Sequence, residues 1–451
     1  MNFKTSVCTA AVAMALAGHA WAAVSADEAA KLKTTLTPMG AERAGNKDGS
    51  IPPWEGGFTK VPASYKSGDI RPDFFAGEKP VLSINAKNMD QYADKLTEGV
   101  KGLMKKYPSY RIDVYPTHRS AAAPQWVYDN TFKNATKAKL TGDGFSLEGA
   151  YGGVPFPIPK DGKEALWNHK MAWNQGESSS RGSRCFVVTA EGKVVLASDG
   201  VQEDQKPYYY KDGNAESYKG YFNLVRYVQT APSSKAGESI LAHEASDGQP
   251  RGIWQYLVGQ RRVRRAPAVA YDTPDSVTSG MGFFDEAFML FGPWDHHEYK
   301  IVGKKEVYVP YNNNRADAAS PDELVKPQFL NPDLVRWELH RVWEIEANLA
   351  SGKRHVVPKR KYYLDEDSWQ ILLTDGWDAQ GQLWRTGYTL TLLAPDVPAL
   401  VGNVSWGLYS LQGGGYFINS ATNGLNKQFT VYPRRPDSFF SPDELANLGA
   451  R

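Results

Sequence analysis

A chain of 451 residues with 52 basic and 50 acidic side chains is close to electroneutral, which argues against nucleic acid as its main partner. Its 41 glycines, 28 prolines and 12% aromatic content suit a β-rich fold with many turns and few helices. A chain this long can bury a large core, so it does not need disulfides for stability.

The first 22 residues read as an export leader. Lys4 supplies the positive end, Val7 to Gly18 a short apolar run, and Ala20-Trp21-Ala22 a small-x-small cleavage site, so cleavage is expected after Ala22 and the mature chain in the periplasm. Cys8 lies inside the apolar run, without the leucine and small residues that precede a lipidated cysteine. Loss of the leader leaves Cys185 alone, in Arg184-Cys185-Phe186-Val187-Val188, where a small buried apolar role is expected. No other stretch approaches the roughly 18 consecutive apolar residues of a membrane span, and the ending Asn447-Leu448-Gly449-Ala450-Arg451 lacks the aromatic strand of an outer-membrane barrel. The chain is therefore not expected to be integral to a membrane.

Ser25-x-x-Glu28 is a capping box that opens a helix to about Leu36. Residues 40–80, rich in Gly, Pro, Asp and Lys, read as an extended arm over the body. Residues 86–107 place Met89, Tyr92, Leu96, Val100, Leu103 and Met104 at helical spacing, with Pro108 as the stop. The glycines and prolines of residues 143–159 predict an extended apolar tongue, either a cover on the core or a gate over a cavity. A helix is expected from about Gly162 to Trp173, and Ser178 to Ser183 reads as a flexible polar loop.

Hairpin strands at Arg184–Thr189 and Lys193–Ser198 flank Ala190-Glu191-Gly192. Strands follow at 222–230, 253–263 and 300–309. Ser320-Pro321 and Ser441-Pro442 both have the serine cap and first-turn proline of a helix start. From Glu338 to Leu393 the chain reads as hairpins with one apolar and one charged face: Trp337, Leu339, Trp343 and Ile345 alternate with Glu338, His340, Glu344 and Glu346. Strands at 404–411, 416–418 and 429–432 close the series.

Chemical motifs are scarce. In Asp295-His296-His297-Glu298 the adjacent histidines point to opposite sides of a strand, which disfavours a shared metal ion. There is no nucleophile elbow, phosphate loop, dinucleotide fingerprint or haem motif, so neither a catalytic residue nor a cofactor is assigned. Asp365, Glu366, Asp375 and Asp378 are candidates for the paired carboxylates of a glycan-active enzyme or glycan-binding protein, the alternative reading. Arg261, Arg262, Arg264 and Arg265, and Lys359, Arg360 and Lys361, either pair with carboxylates such as Glu344, Glu346 and Asp365–Asp367 or form a basic rim for anionic headgroups or an acidic partner.

Four pieces carry a resemblance: Gly152-Gly153-Val154-Pro155-Phe156-Pro157, Gly259-Gln260-Arg261-Arg262-Val263-Arg264-Arg265-Ala266-Pro267, Val309-Pro310-Tyr311-Asn312-Asn313 and Tyr362-Tyr363-Leu364-Asp365-Glu366-Asp367-Ser368-Trp369. In this order they resemble a family of exported Gram-negative proteins of unknown function, often labelled outer-membrane lipoprotein-sorting-like. The resemblance implies a mainly β (β-rich α+β) fold akin to the lipoprotein carriers, an incomplete antiparallel β-barrel curved around an apolar cavity and closed by helices. It also implies partnership with a resistance-nodulation-division type exporter and an outer-membrane protein. One elaborated domain over residues 23–451 is expected, with residues 23–110 as N-terminal arm and helices. The leading expectation is a periplasmic carrier or adaptor for a lipid or other hydrophobic molecule. Trp254, Tyr256, Trp343, Trp369, Trp384 and Tyr388 are expected to line its cavity, and Arg262 and Arg264 its rim.

Overall fold

The computed structural model describes residues 23–247, 252–265, 271–402 and 404–449, so the leader lies outside the described residues. A single sheet of 16 strands dominates them. Its path begins at Leu82–Asn85 and Arg111–Val114 and enters the hairpin run Arg336–Leu349, Lys359–Asp365, Ile371–Trp377 and Leu383–Thr389. It continues through Trp406–Ser410 and Tyr416–Ala421 to Ser178–Val188 and Val194–Gln205. Tyr221–Ala231, Ser239–Ala245 and Ile253–Leu257 then lead to an edge at Arg262–Arg265. His297–Pro310 pairs with Arg336–Leu349 off this path. The two ends of the path do not pair with each other, so the curved sheet is an incomplete barrel. It is antiparallel except where Arg336 and Trp337 meet Asp113 and Val114.

Both faces of the central strands are buried. Successive residues of a strand point to opposite sides, yet Leu372 and Leu373 are 0% and 1% exposed. One side gathers Cys185, Trp369, Ile371, Trp406 and Phe417 with Trp167 and Trp294. The other gathers Val188, Leu373, Tyr388 and Tyr416 with Val100, Leu103 and Met104. Cys185 is thus the buried apolar residue expected of it.

Three local readings change. The helix expected over 86–107 is interrupted: a 3-10 segment Met89–Lys95 ends at extended Leu96, and a new α-helix, Glu98–Lys106, starts behind Thr97, whose Oγ1 accepts from Val100 N. Ser178–Ser183 is not a loop but the first half of a buried strand. Its polar groups are tolerated because Arg181 pairs with Asp204 at 2.9 Å and the strand is laddered on both sides. A helix at Gln125–Ala135 was not foreseen, its sequence being rich in residues with weak helix preference such as Trp126, Val127, Tyr128 and Thr131. The tongue covers the core. It is buried beside that helix, with Asn134 Nδ2 donating to the carbonyls of Tyr151, Gly153 and Val154. Gly153 is required there, because a Cβ would sit 2.4 Å from Thr131 N.

The largest correction concerns the charged set of the hairpin run, which does not face water. Glu338, His340 and Glu344 are 0–1% exposed, because His118 lies over Glu338, Tyr311 over His340, and the Lys305 and Lys361 side chains over Glu344. The apolar set is divided too: Trp337 and Leu339 join one core cluster, Trp343 and Ile345 the other. Each buried charge has a counter-charge. Glu338 accepts from Arg336 Nε at 2.5 Å and from His118 N at 2.8 Å, with His340 Nε2 at 3.0 Å. Burial works against its charge, but the His340 and Arg336 partners more than offset this and hold its pKa below the usual glutamate value. Glu344 is held by Lys305 and Lys361. Arg119 donates to Asp367 through Nε at 2.9 Å and Nη2 at 2.6 Å, and Arg341 Nε donates to Glu366 at 2.6 Å.

These arginines also hold the arm. Arg119 Nη1 reaches the carbonyl of Arg43 at 3.2 Å, and Arg341 Nη2 those of Glu42 and Ala44 at 3.0 and 2.7 Å. Replacing Arg119 by Met strands the Asp367 carboxylate and is expected to cost about 3–5 kcal/mol in chemical denaturation. The double replacement Arg119→Met with Asp367→Leu is expected to cost clearly less than the single one, since it leaves no unpaired charge.

Candidate functional site

The helix Glu98–Lys106 lies against the strands Ile371–Trp377 and Leu383–Thr389. Its sequence explains the fit. Gly99 and Gly102 replace side chains where the helix meets the sheet: a Cβ on Gly99 would lie 2.1 Å from Asp375 Oδ1 and Thr386 Oγ1, and one on Gly102 2.9 Å from a Leu411 methyl. Val100, Leu103 and Met104 project into the interior. There they meet Trp337, Leu373, Tyr388, Leu390 and Tyr409, with Tyr110 and Leu330 at the margin.

Few polar ties hold this helix down. Gly99 N donates to Asp375 at 3.0 Å, and Lys106 Nζ donates to the Leu411 carbonyl at 2.7 Å. Asp375 also accepts from Thr386 at 3.2 Å and Tyr363 at 3.3 Å. The space between helix and sheet is nearly filled by protein, leaving about 20 Å³, room for a single water. The interior is mostly apolar, with Arg111 and Thr386 as its polar lining.

The expected site residues fall in several places. Tyr388 is on the floor beneath the helix, its hydroxyl donating to the Phe417 carbonyl at 3.0 Å. Trp343 and Trp369 stack together, ring centroids 6.1 Å apart, in the core on the other side of the sheet, where the Trp369 indole donates to the Met39 carbonyl. Trp384 packs on Phe283 at the outer end of its strand. Trp254 and Tyr256 sit under the C-terminal helix Pro442–Gly449 with Phe440 and Leu445. Arg262 and Arg264 are exposed on the edge strand. The structure does not bring these eight together. The floor residues not singled out beforehand, Trp337, Leu373, Leu390 and Tyr409, came from runs already read as strand. What the sequence hid was which strands the Gly-bearing helix would cover.

A second hollow is open to solvent. Pro52, Pro53, Glu55, Phe58, Phe75 and His118 surround a cleft of about 270 Å³ between the arm and residues 116–120. His118 stacks on Phe75 at 4.1 Å, and its Nε2 lies 2.6 Å from Glu78.

Within the buried charge network His340, Asp365 and Asp367 come within 4.8 Å of one another, a donor set of the kind a divalent cation takes. Both Asp367 oxygens are already bound by Arg119, and Arg119, Arg336, Arg341 and Lys304 balance Glu338, Asp365, Glu366 and Asp367. Burial first, and then the Asp367 charge, push Asp365 up to about 6. The cluster fits a charge-balanced clamp better than a cation site. Next to the 295–298 pair, His297 is buried against the Val357 carbonyl while His296 stacks on Tyr271, so the two do diverge. The basic run Lys359–Lys361 pairs with Glu346, Asp285 and Glu344, as the plainer of its two readings expected.

A family model described as "Protein of unknown function (DUF1329)" matches residues 83–446. The chain belongs to that family. It is 39% identical over 447 residues, 97% of its own length and 96% of the relative's, to the uncharacterized protein PA3922 of Pseudomonas aeruginosa. Among solved structures, a domain described as an outer-membrane lipoprotein-sorting protein from Vibrio parahaemolyticus is similar, at 12% identity and a TM-score of 0.43, over 63% of this chain and 98% of that one. A DUF1329 family protein from Desulfovibrio piger is similar at 14% identity and a TM-score of 0.39, over 60% of this chain and 92% of that one. A LolA superfamily protein from Nitrosomonas europaea is similar at 9% identity and 0.35, over 63% and 100%.

Burial pushes the Asp375 carboxyl up to about 6, partly offset by the Gly99 hydrogen bond. An unfolded aspartate titrates near 3.9. Between about pH 4 and 6 the folded chain therefore holds a proton that the unfolded chain lacks, so acidification through that window adds stability, which is lost again as pH rises through 6. Asp375→Asn keeps an acceptor for Gly99 and is expected to shrink this pH dependence, measured by urea unfolding at pH 4.5 and 7. Gly102→Leu is expected to lift the helix and raise binding of an apolar dye, without unfolding the sheet.

Proposed function

We propose that this DUF1329 chain is a periplasmic carrier for a lipid or other hydrophobic molecule, and that the helix Glu98–Lys106 is the lid of its binding site. The observation that supports this is the contrast at the lid: a mostly apolar floor, polar around Asp375 and Thr386, beneath a nine-residue helix with two contact glycines and few polar ties. Uptake would replace the side chains of Val100, Leu103 and Met104 with the guest's own methylenes. At roughly 0.8 kcal/mol per buried methylene, an acyl chain of about ten would return roughly 8 kcal/mol, enough to offset undocking of a short helix. In this reading Tyr388 contacts the guest, whereas Trp343 and Trp369 belong to the supporting core. Delivery to or from an inner-membrane exporter and an outer-membrane protein is the finer form of the proposal.

The glycan alternative loses its candidate carboxylates. Asp365 and Glu366 are committed to the buried network, Asp375 lies beneath the helix, and Asp378 caps an exposed turn. A second reading, favoured by the 270 Å³ cleft, is a compact ring-shaped guest held between the prolines and phenylalanines over His118.

The test combines extraction with a lock. Organic extracts of protein purified from the periplasm are expected to contain a lipid or comparable hydrophobe by mass spectrometry. The oxidised double variant Gly102→Cys with Leu411→Cys, which ties the lid to the sheet, is expected to lose uptake of a fluorescent fatty acid and to regain it on reduction. Uptake by the oxidised form equal to that of the wild type would refute the lid and point to the open cleft.

A further inference from the structure

One end of the sheet combines two features that are rare side by side on a soluble surface. Val194, Val195 and Leu196 are 43%, 39% and 40% exposed. Because successive residues of a strand face opposite sides, three exposed in a row mean that this strand tip is free on both faces. The register shows why. The neighbouring strand Tyr221–Ala231 reaches only as far as Asp199, opposite Ala231, so residues 194–198 project beyond it.

The same end carries the turns at 232–238 and 258–261. Val228 pairs with Ser239, Ser239 with Tyr256, and Leu257 with Arg262, which sets these strand ends side by side. At about 4.8 Å per strand they span roughly 20 Å. Val258, 39% exposed, stands at the tip of the last turn.

Beside these apolar tips lie exposed Arg261, Arg262, Arg264 and Arg265. Arginines elsewhere in the sheet are paired: Arg181 with Asp204, Arg226 with Glu203, Arg360 with Asp285 and Arg385 with Glu286. Among the described residues no carboxylate lies within ion-pair distance of the four edge arginines. Lys193 and Lys235 add to the positive charge at this end; the acids there are Glu191, Glu238, Asp275 beside Lys235, and Asp199, which pairs with Arg184. In a chain with a formal net charge of only +2, so concentrated an excess calls for an external anion.

We infer that this end of the sheet docks on an anionic phospholipid surface, with Val194–Leu196 and Val258 entering the headgroup layer and Arg261, Arg262 and Arg264 binding lipid phosphates. Arginine's planar donor set suits phosphate, and its stem lies along the apolar tips while the head stays at the charged layer. Apolar contact and headgroup attraction together give reversible attachment where neither alone would. The inference stands on this surface alone and holds whether or not the lid encloses a guest.

Co-sedimentation of the mature chain with vesicles tests it. Binding to phosphatidylglycerol vesicles is expected, falling with salt, with little binding to phosphatidylcholine. Arg262→Ser with Arg264→Ser should weaken it by about thirtyfold. Leu196→Asp should abolish the part that survives high salt. All these sites are exposed, so unchanged melting temperatures are the control for folding, and unchanged fatty-acid uptake in solution separates this surface from the carrier site. Equal binding to both vesicle types, absence of binding, or wild-type binding by the variants would overturn the inference. Retention on immobilised polyglutamate without vesicle binding would overturn it in favour of an acidic protein partner.

Discussion

The bidentate pair between Arg119 and Asp367 is the joint on which the architecture depends. It lies where the extended arm, the strand Arg336–Leu349 and the turn after Asp365 meet, sealed from water. Arg341 with Glu366, and Arg336 with Glu338, extend it into a network in which Glu338, Glu366 and Asp367 each have an arginine partner and Asp365 is held by the Tyr311 and Ser368 hydroxyls. Burying that many charges stabilises little by itself, because desolvation absorbs most of the Coulomb gain. What such a network does supply is position: the arm docks in one place only, since any shift strands a charge. Two of the motifs that carry the family resemblance, Val309–Asn313 and Tyr362–Trp369, provide its turns and acids. Tyr311 donates to Asp365 and stacks on His340, and Asn312 donates to Glu338.

With the charged side fixed in this way, the two apolar sides of the sheet are free to differ. One is packed with interlocking aromatic rings, among them Trp167, Trp294, Trp369 and Trp406, anchored by indole hydrogen bonds from Trp167 and Trp369. Such a core is rigid and specific. The other is covered by a short helix with two contact glycines, so lifting it breaks few contacts per residue. In the proposed reading, this asymmetry makes one face the support and the other the side of exchange.

The sequence made some of this legible. The Ala190–Gly192 hairpin, the Ser25 capping box and the serine cap with its proline at Ser320 all rest on chemistry within a few residues, and they stand as read. The β-rich class followed from composition and period. The misreadings have a common cause, partners far away in sequence. Glu338, His340 and Glu344 look like a solvated face until Arg119, His118 and Lys305 are set beside them. Ser178–Ser183 looks like a loop until Asp204 neutralises Arg181. The break at Leu96–Thr97 follows from a threonine cap that a continuous apolar stripe concealed. The candidate lining failed to gather for the same reason: large aromatics mark core on either side of a sheet equally well, whereas Gly99 and Gly102, the residues that let the helix Glu98–Lys106 approach the sheet, have no side chain to draw notice.

Hydrogen–deuterium exchange with and without a saturating fatty acid tests the lid most directly. The account predicts that amides of Gly99–Lys106 exchange faster in the loaded protein, while those of Ile371–Trp377 and Leu383–Thr389 stay protected. A helix as protected as the strands in both states, with ligand-dependent changes confined to residues 52–58 and 116–120, would contradict it and place the guest in the open cleft.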